Sequence, residues 1–280
     1  MSNAQVRATF RKLHDGGCFV IPNPWDIGTS RYLRHLGFKA LATTSSGAAF
    51  GMGLPDTDWA VTRDMMLDHI RTIVEATELP VNADFESGYA HEPDAVAENV
   101  RRCVETGVAG LSIEDATGDK AKPLYDLDMA VARMRAARRA IDASGADVML
   151  VGRAECFLVG RPDLGETIAR LKAYAAVGAD CLYAPGIRSA EQIAEVVAAA
   201  APKPVNVLMS AAIGFTVMDL AGFGVRRISV GSALARVAWG AFIRASKQIA
   251  LEGRFDAFAD GVPMAEINGF FREDLKGRSA

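Results

Sequence analysis

Long apolar runs are missing from this 280-residue chain. No stretch approaches the roughly 20 uninterrupted apolar residues of a membrane span, and Met1 to Phe10 lacks the apolar core of a secretory leader. No membrane partner is expected, and the location is read as cytoplasmic. Cysteine is scarce: Cys18, Cys103, Cys156 and Cys181 are scattered, with no C-x-x-C pair. That spacing argues against a zinc site and a disulfide framework. All four lie in or beside apolar runs and read as buried structural thiols. Basic runs are absent too. With a net charge of -3 and a pI near 5.9, nothing suggests nucleic acid or an anionic surface as partner, which leaves a small molecule. No linker or low-complexity segment divides the chain, so residues 1–280 read as one domain, and its length and 50% hydrophobic content suit one large α/β barrel. Ser2 to Ala4 is set aside as a cloning remnant.

What the chain has in quantity is alternation. Strand-like runs are predicted at Cys18–Pro22, Ala40–Ser45, Val81–Glu86, Gly110–Asp115, Val148–Arg153, Cys181–Ala184, Val205–Met209 and Arg227–Val230. Helical patterns lie between them, including Asp94–Glu105, Asp128–Ala143, Pro162–Val177 and Ala190–Ala200. Strict alternation means βαβ units and a parallel sheet. Gly37, Gly107, Gly145, Gly178 and Gly224 each precede a strand and have an apolar residue four positions on, marking one repeated helix-to-strand turn. Eight such units close most naturally as a (β/α)8 TIM-type barrel. An open doubly wound sheet is the rival, but it would be expected to carry GxGxxG after its first strand, and PNPWDIG at 22–28 does not supply one. Ala233–Ala250 reads as a long helix and 251–280 as a C-terminal extension rich in Phe255, Phe258, Phe270 and Phe271. Its apolar side chains would pack on its own barrel or, as an exchanged helix, on a neighbouring subunit.

In such a barrel the chemistry sits where the strands end. Those ends carry Thr43-Thr44-Ser45-Ser46-Gly47, Asp84-Phe85-Glu86, Glu114-Asp115, Arg153-Ala154-Glu155, and Asn206 with Ser210. Asp84 and Glu86, at i and i+2 of a strand, are expected on the same side, where their charges repel unless a proton or cation intervenes. Asp84, Glu86 and Glu114, with no Lys or His nearby, form a hard oxygen-only set suited to Mg²⁺ or Mn²⁺, and only one or two of them need bind Mg²⁺ directly. The alternative is that these acids cap helices or pair with Arg153. Arg153 offers a planar fork for a carboxylate or phosphonate, or else an internal partner for Glu155 or Glu114. Ser46-Gly47 could turn two backbone N–H groups toward an oxyanion. The loop ATGDKAKPLYD at 116–126 could close over a charged substrate or simply be solvated. None of the eight lysines falls at the top of a strand, which argues against Schiff-base chemistry.

The motifs TTSSG (43–47), GLPD (53–56), ADFESGYA (83–90), IED (113–115), GRAE (152–155) and VNVLMS (205–210), with VIPNPWD at 20–26, resemble in order and spacing those of the isocitrate lyase/phosphoenolpyruvate mutase superfamily, mutase-like branch, over about residues 8–255. The resemblance implies a Mg²⁺-dependent barrel that stabilises a 2-oxo acid enolate while a carbon-carbon or carbon-phosphorus bond breaks. It implies Asp84 as main metal ligand, with Asp56, Glu86 and Glu114 holding its waters. Ser46 and Gly47 would bind the substrate carboxylate or enolate oxygen and Arg153 would grip a carboxylate; these three and Glu114 are the catalytic candidates, and Asp84, Asn206 and Thr44, the last replacing an aromatic usual in the family, are further candidate substrate contacts. It also implies a homo-oligomer, a dimer or a tetramer with exchanged C-terminal helices. Two departures matter: the 116–126 loop has neither the KKCGH-type motif of the isocitrate lyases nor the Asn-Ser run of the phosphonate enzymes, though Thr117 could substitute in part. A Mg²⁺-dependent lyase of a small 2-oxo or 2-hydroxy dicarboxylate, by decarboxylation or retro-aldol cleavage, is therefore the leading expectation, and ordinary isocitrate lyase activity, lacking its loop Cys, is not expected. Phosphonopyruvate hydrolysis or mutation is second. An FMN or phosphate site at VRRISVGSA (225–233) and a non-catalytic carboxylate-binding protein are further alternatives.

Overall fold

In the computed structural model, which describes residues 1–57 and 59–278, the eight expected strands form one all-parallel sheet. They are β1 (Phe19–Ile21), β2 (Leu41–Ala42), β3 (Val81–Asp84), β4 (Gly110–Glu114), β5 (Met149–Arg153), β6 (Cys181–Tyr183), β7 (Val205–Leu208) and β8 (Arg227–Ser229). The order β1-β8-β7-β6-β5-β4-β3-β2 wraps the sheet round to bring β1 and β2 together. Two features close that seam. The Ala42 N–H donates to the Pro22 carbonyl at 3.0 Å. Asn23, buried beside it, donates to the Thr43 carbonyl (2.8 Å) and accepts from the Val230 and Gly231 N–H groups (3.0 and 2.9 Å). One amide thus joins the ends of β1, β2 and β8, and nothing in a single asparagine's sequence context announces that role. The fold is a (β/α)8 barrel.

The helices are α1 (Asn3–Leu13), α2 (Ile27–His35), α3 (Ser45–Gly51), α4 (Arg63–Ala76), α5 (Pro93–Glu105), α6 (Leu127–Ala143), α7 (Leu164–Ala176), α8 (Ala190–Ala200), α9 (Val217–Gly222), α10 (Ala233–Glu252) and α11 (Met264–Arg278). The five marker glycines all hold left-handed φ, from 67° to 105°. At Gly178 the requirement is double, since an added Cβ would stand 2.6 Å from Arg138 Cγ. Three expected boundaries move. The run predicted as strand to Ser45 ends at Ala42, because Thr44 caps α3 and Ser45 already begins it. β3 stops at Asp84, and Glu86 takes φ +46°, so the i, i+2 strand alternation does not place it. Ser2 to Ala4 belongs to the ordered fold: Ser2 accepts from the Gln5 N–H and Gln5 accepts from the Ser2 N–H, a capping box that opens α1. Cys103, Cys156 and Cys181 are buried as expected, whereas Cys18 is half-buried.

Helix α1 covers the N-terminal end of the barrel. Phe10 is fully buried among Ile21, Ala40, Ala42, Ala109 and Met149, and Arg11 pairs with Asp147 and Asp180. One turn on, His14 stands edge-on to Phe10 and Phe19 with Nδ1 2.9 Å from the Phe10 carbonyl. A carbonyl can only accept, so Nδ1 carries the hydrogen. Burial, then the charges of Arg227, Arg11 and Arg226, push the His14 pKa down to about 3, against the carbonyl bond that favours charge. The unfolded chain therefore binds the extra proton throughout the window from about 6.5 to about 3, and stability falls as pH drops through it. We predict that His14→Gln flattens this acid-side loss, whose slope is at most about 1.4 kcal/mol per pH unit. Denaturant unfolding between pH 7 and pH 4 measures it; parallel profiles for the two proteins would refute the assignment.

The chain divides into two compact units, Met1–Ala233 and Leu234–Ala280. The second consists of almost all of α10, a 3-10 turn at Asp256–Asp260, and α11. It pairs Trp239 edge-to-face with Phe242 and leaves Val237, Phe242, Leu251, Phe255, Phe258 and Met264 exposed. Among the described residues no helix is long and apolar enough to cross a membrane.

Candidate active site

At the C-terminal end of the barrel β2 to β5 deliver polar residues onto a network that begins with Asp84. Its backbone N–H donates to the Thr43 hydroxyl at 2.8 Å, and its carboxylate accepts from the N–H and hydroxyl of Ser45 at 3.1 and 3.3 Å. The first turn of α3 therefore faces the end of β3. Thr44 is buried and caps that helix by accepting from the Gly47 N–H at 3.2 Å. Gly47's donor is thereby occupied. Of the pair expected to face an oxyanion, Ser46 alone keeps a backbone N–H with no protein acceptor among the described residues, and its hydroxyl donates to Asp56. Ser45, which the sequence does not single out, is the residue that touches Asp84.

Arg153 is the centre of charge. Nη1 lies 3.1 Å from Asp84 and 2.9 Å from Glu114, and Nε donates to Glu155. Nη2 takes no partner among the described residues. Burial opposes the charge of Arg153, but Glu114, Glu155 and Asp84 outweigh it and hold its pKa above normal. The internal pairing foreseen for this side chain is thus present, with three partners instead of one. Glu114 and Glu155 are pushed up by burial and by neighbouring carboxylates, with Arg153 opposing. Glu86 is pushed up to about 7, first by burial and then by Asp84 and Asp56, while a 2.5 Å bond from the Tyr89 hydroxyl partly offsets this. Asp56 rises for the same first reason. Five carboxylates (Asp56, Asp84, Glu86, Glu114 and Glu155) thus interact with one guanidinium.

That excess of anionic oxygen fits a hard divalent cation. Among the described residues no three His, Cys, Asp or Glu side chains converge tightly enough to enclose one. Asp84, Glu86, Glu114 and Asp56, the residues expected to hold such a cation, supply only carboxylate oxygens to it.

The loop after β3 is unusually constrained. Glu86 and Tyr89 both adopt left-handed φ (46° and 53°), a conformation that costs of order 1 kcal/mol or more for a residue with a side chain. Asn99 accepts this loop by donating to the carbonyls of Gly88 and Tyr89 at 2.8 and 3.2 Å. A cleft of about 610 Å³ lies beside it, lined by Asp56, Trp59, Glu86, His91 and Glu114 and by 116–120 of the next loop. That loop is tied to itself: Thr117 pairs its N–H with the Pro123 carbonyl and its hydroxyl with the Lys122 carbonyl, and Lys122 pairs with Asp126. Its base is fixed by buried Asp115, which accepts from the Glu155 N–H, Arg170 and Tyr174.

Asn206 lies apart from this network. It is fully buried within the barrel, accepting from Arg227 at 2.8 Å and donating to Ser229 at 2.9 Å, so both ends of its amide are engaged there. In the 225–233 segment, the N–H groups of Val230 and Gly231 that a phosphate cradle would use both donate to Asn23.

The phosphoenolpyruvate phosphomutase family profile matches residues 10–250. An oxaloacetate decarboxylase of Bradyrhizobium diazoefficiens is 31% identical, covering 97% of this chain and 91% of its own. A Burkholderia cenocepacia structure provisionally called a lyase/mutase superposes with a TM-score of 0.91 at 48% identity, covering 96% of each chain. A structure of oxaloacetate acetylhydrolase with the product oxalate superposes at 0.83 with 27% identity, covering 100% of this chain and 99% of that one. The chain belongs to the phosphoenolpyruvate phosphomutase family, within the isocitrate lyase/phosphoenolpyruvate mutase superfamily.

Proposed function

We propose that this protein is a Mg²⁺-dependent carbon-carbon lyase that cleaves a small 2-oxo or 2-hydroxy dicarboxylate, by decarboxylation or retro-aldol fission, through an enolate. The observation that carries this reading is the group of five carboxylates around Arg153 at the barrel mouth, beside a cleft that three of them line. Its relatives support it, since they include oxaloacetate decarboxylases and a 2-methylisocitrate lyase. When bound, Mg²⁺ (or Mn²⁺) would supply Lewis-acid stabilisation of charge developing on the substrate's 2-oxygen. The chain's own residues would do the rest. Asp84, with Asp56, Glu86 and Glu114, sets the negative field that retains the cation. Ser46 offers its free N–H to a substrate oxygen, while its hydroxyl donates to Asp56. Arg153 presents Nη2 to a carboxylate while its other nitrogens are fixed by Glu114, Asp84 and Glu155. The exposed apolar side chains of the second unit support a homo-oligomer, dimer or tetramer.

Carbon-phosphorus cleavage is the second reading, favoured by the family profile and by a phosphonomutase-type structure at 37% identity. Against it, Thr117, the loop residue nearest to a phosphoryl guide in sequence, has its hydroxyl spent on its own loop. A panel of 2-oxo and 2-hydroxy di-acids and phosphonopyruvate, each with Mg²⁺ or with chelator, separates the two. We expect release of a 2-oxo acid from a dicarboxylate, abolished by chelator. Phosphate release from phosphonopyruvate, or turnover that survives chelation, would overturn the leading reading.

A further inference from the structure

An enolate must be protonated at carbon before a 2-oxo acid can leave, and the loop after β4 has neither a Cys nor a His for this. The neighbouring loop has a His. His91 lines the same cleft as Glu86, Glu114 and Asp56, and its position is fixed from several sides. Tyr125, buried at the base of the 116–126 loop, places its hydroxyl 2.6 Å from His91 Nδ1. The Trp59 ring lies 5.1 Å from the imidazole. Arg133 of α6, only 1% exposed, donates to the carbonyls of Ser87, Ala90 and His91 and lays its guanidinium 4.0 Å over the Tyr125 ring.

Burying a cation with only carbonyls and a ring for partners is expensive. The arrangement returns an imidazole that is exposed yet held, with Nδ1 anchored and Nε2 without a protein partner among the described residues. Tyr125 is fixed in turn, its N–H donating to the Asp115 carbonyl and its own carbonyl accepting from Arg170.

Given the lyase reading, on which this rests, we infer that His91 is the acid that protonates the enolate carbon and that Tyr125 and Arg133 are its positioning residues. Carbon-carbon cleavage leaves the bond pair in the enolate. The imidazolium then gives its Nε2 proton to the carbon, the enolate π pair forms the new C–H bond, and the oxygen becomes a carbonyl. His91 is left neutral with Nδ1–H toward the Tyr125 oxygen, and water restores the proton.

The test follows CO2 and ketone formation separately in single turnovers of the di-acid that the parent enzyme cleaves, beginning with oxaloacetate and Mg²⁺. His91→Asn is expected to release CO2 at nearly the parent rate while ketone formation slows by about 10²-fold, so that free enol accumulates. Tyr125→Phe, which keeps the ring under Arg133, should show a smaller lag of the same kind. Synchronous CO2 and ketone in His91→Asn would overturn this inference and leave the lyase reading intact. A parent enzyme inert toward every di-acid would overturn both.

Discussion

Asp84→Asn is expected to lower carbon-carbon cleavage by on the order of 10²–10³-fold while leaving the metal-free barrel within a few degrees of the parent's Tm, or above it. The activity loss follows if Asp84 is the main ligand of the cation. The stability result follows from the surplus of anions. Asp84 shares Arg153 Nη1 with Glu114, and its charge is one of those that raise the pKa values of Glu86, Glu114 and Asp56. Removing it relieves repulsion that the apoprotein must otherwise bear, and the Glu86 pKa should fall from about 7. Against that gain stands one hydrogen bond, because an amide cannot both accept from Ser45 and accept from Arg153 as a carboxylate does. Function and stability would then pull in opposite directions at one residue, as is common where a site is built of like charges. Cation titration, turnover, and thermal unfolding in chelator together test it. Normal turnover would refute the metal role, and a Tm fall of 10 °C or more would refute the electrostatic account.

The opposite substitution in the same cluster should behave in the opposite way. Arg153→Met leaves Glu114, Glu155 and Asp84 without their common cation, in a setting where all four side chains are at most one-fifth exposed. Breaking a buried ion pair from one side typically costs about 3–5 kcal/mol, which corresponds to a Tm loss of roughly 10 °C for a protein of this size. The loss should depend on pH. Without Arg153 the folded-state pKa values of Glu114 and Glu155 rise still further above those of the unfolded chain. The folded state then binds more protons, so stability falls as pH rises. The gap to the parent is therefore largest at pH 8 and narrows at pH 5, where protonation removes the uncompensated charge. Arg153→Lys should recover only part of it, because one ammonium cannot span three carboxylates as the guanidinium does. Thermal unfolding at the two pH values decides it: an equal deficit at both would mean that lost packing, not charge, is the cause.

The sequence by itself determined the barrel. Most strands lie in short, mainly apolar runs, and each of five turns carries a glycine whose left-handed backbone no other residue takes cheaply. Those are local signals, and local signals survive in a linear reading. It also placed Asp84, Glu114 and Arg153 at strand ends, because the fold fixes where strand ends go. The tertiary structure alone decided what meets what. Ser45 reaches Asp84 across 39 positions, Asn23 joins β8 across 207, and Arg133 of α6 fastens the carbonyls of a loop more than 40 residues earlier. Asn206 shows the converse: its strand was foreseen, but the depth at which it lies, with Arg227 and Ser229 taking its amide, depends on the stagger of neighbouring strands. His91 was invisible for the same reason. A histidine four residues past Ser87 on a polar loop carries no chemical mark until a tyrosine from the next loop binds one of its nitrogens and the cleft receives the other. Periodicity and glycine write the frame into the chain, whereas charge partnerships form between residues whose separation in sequence carries no information about their separation in space.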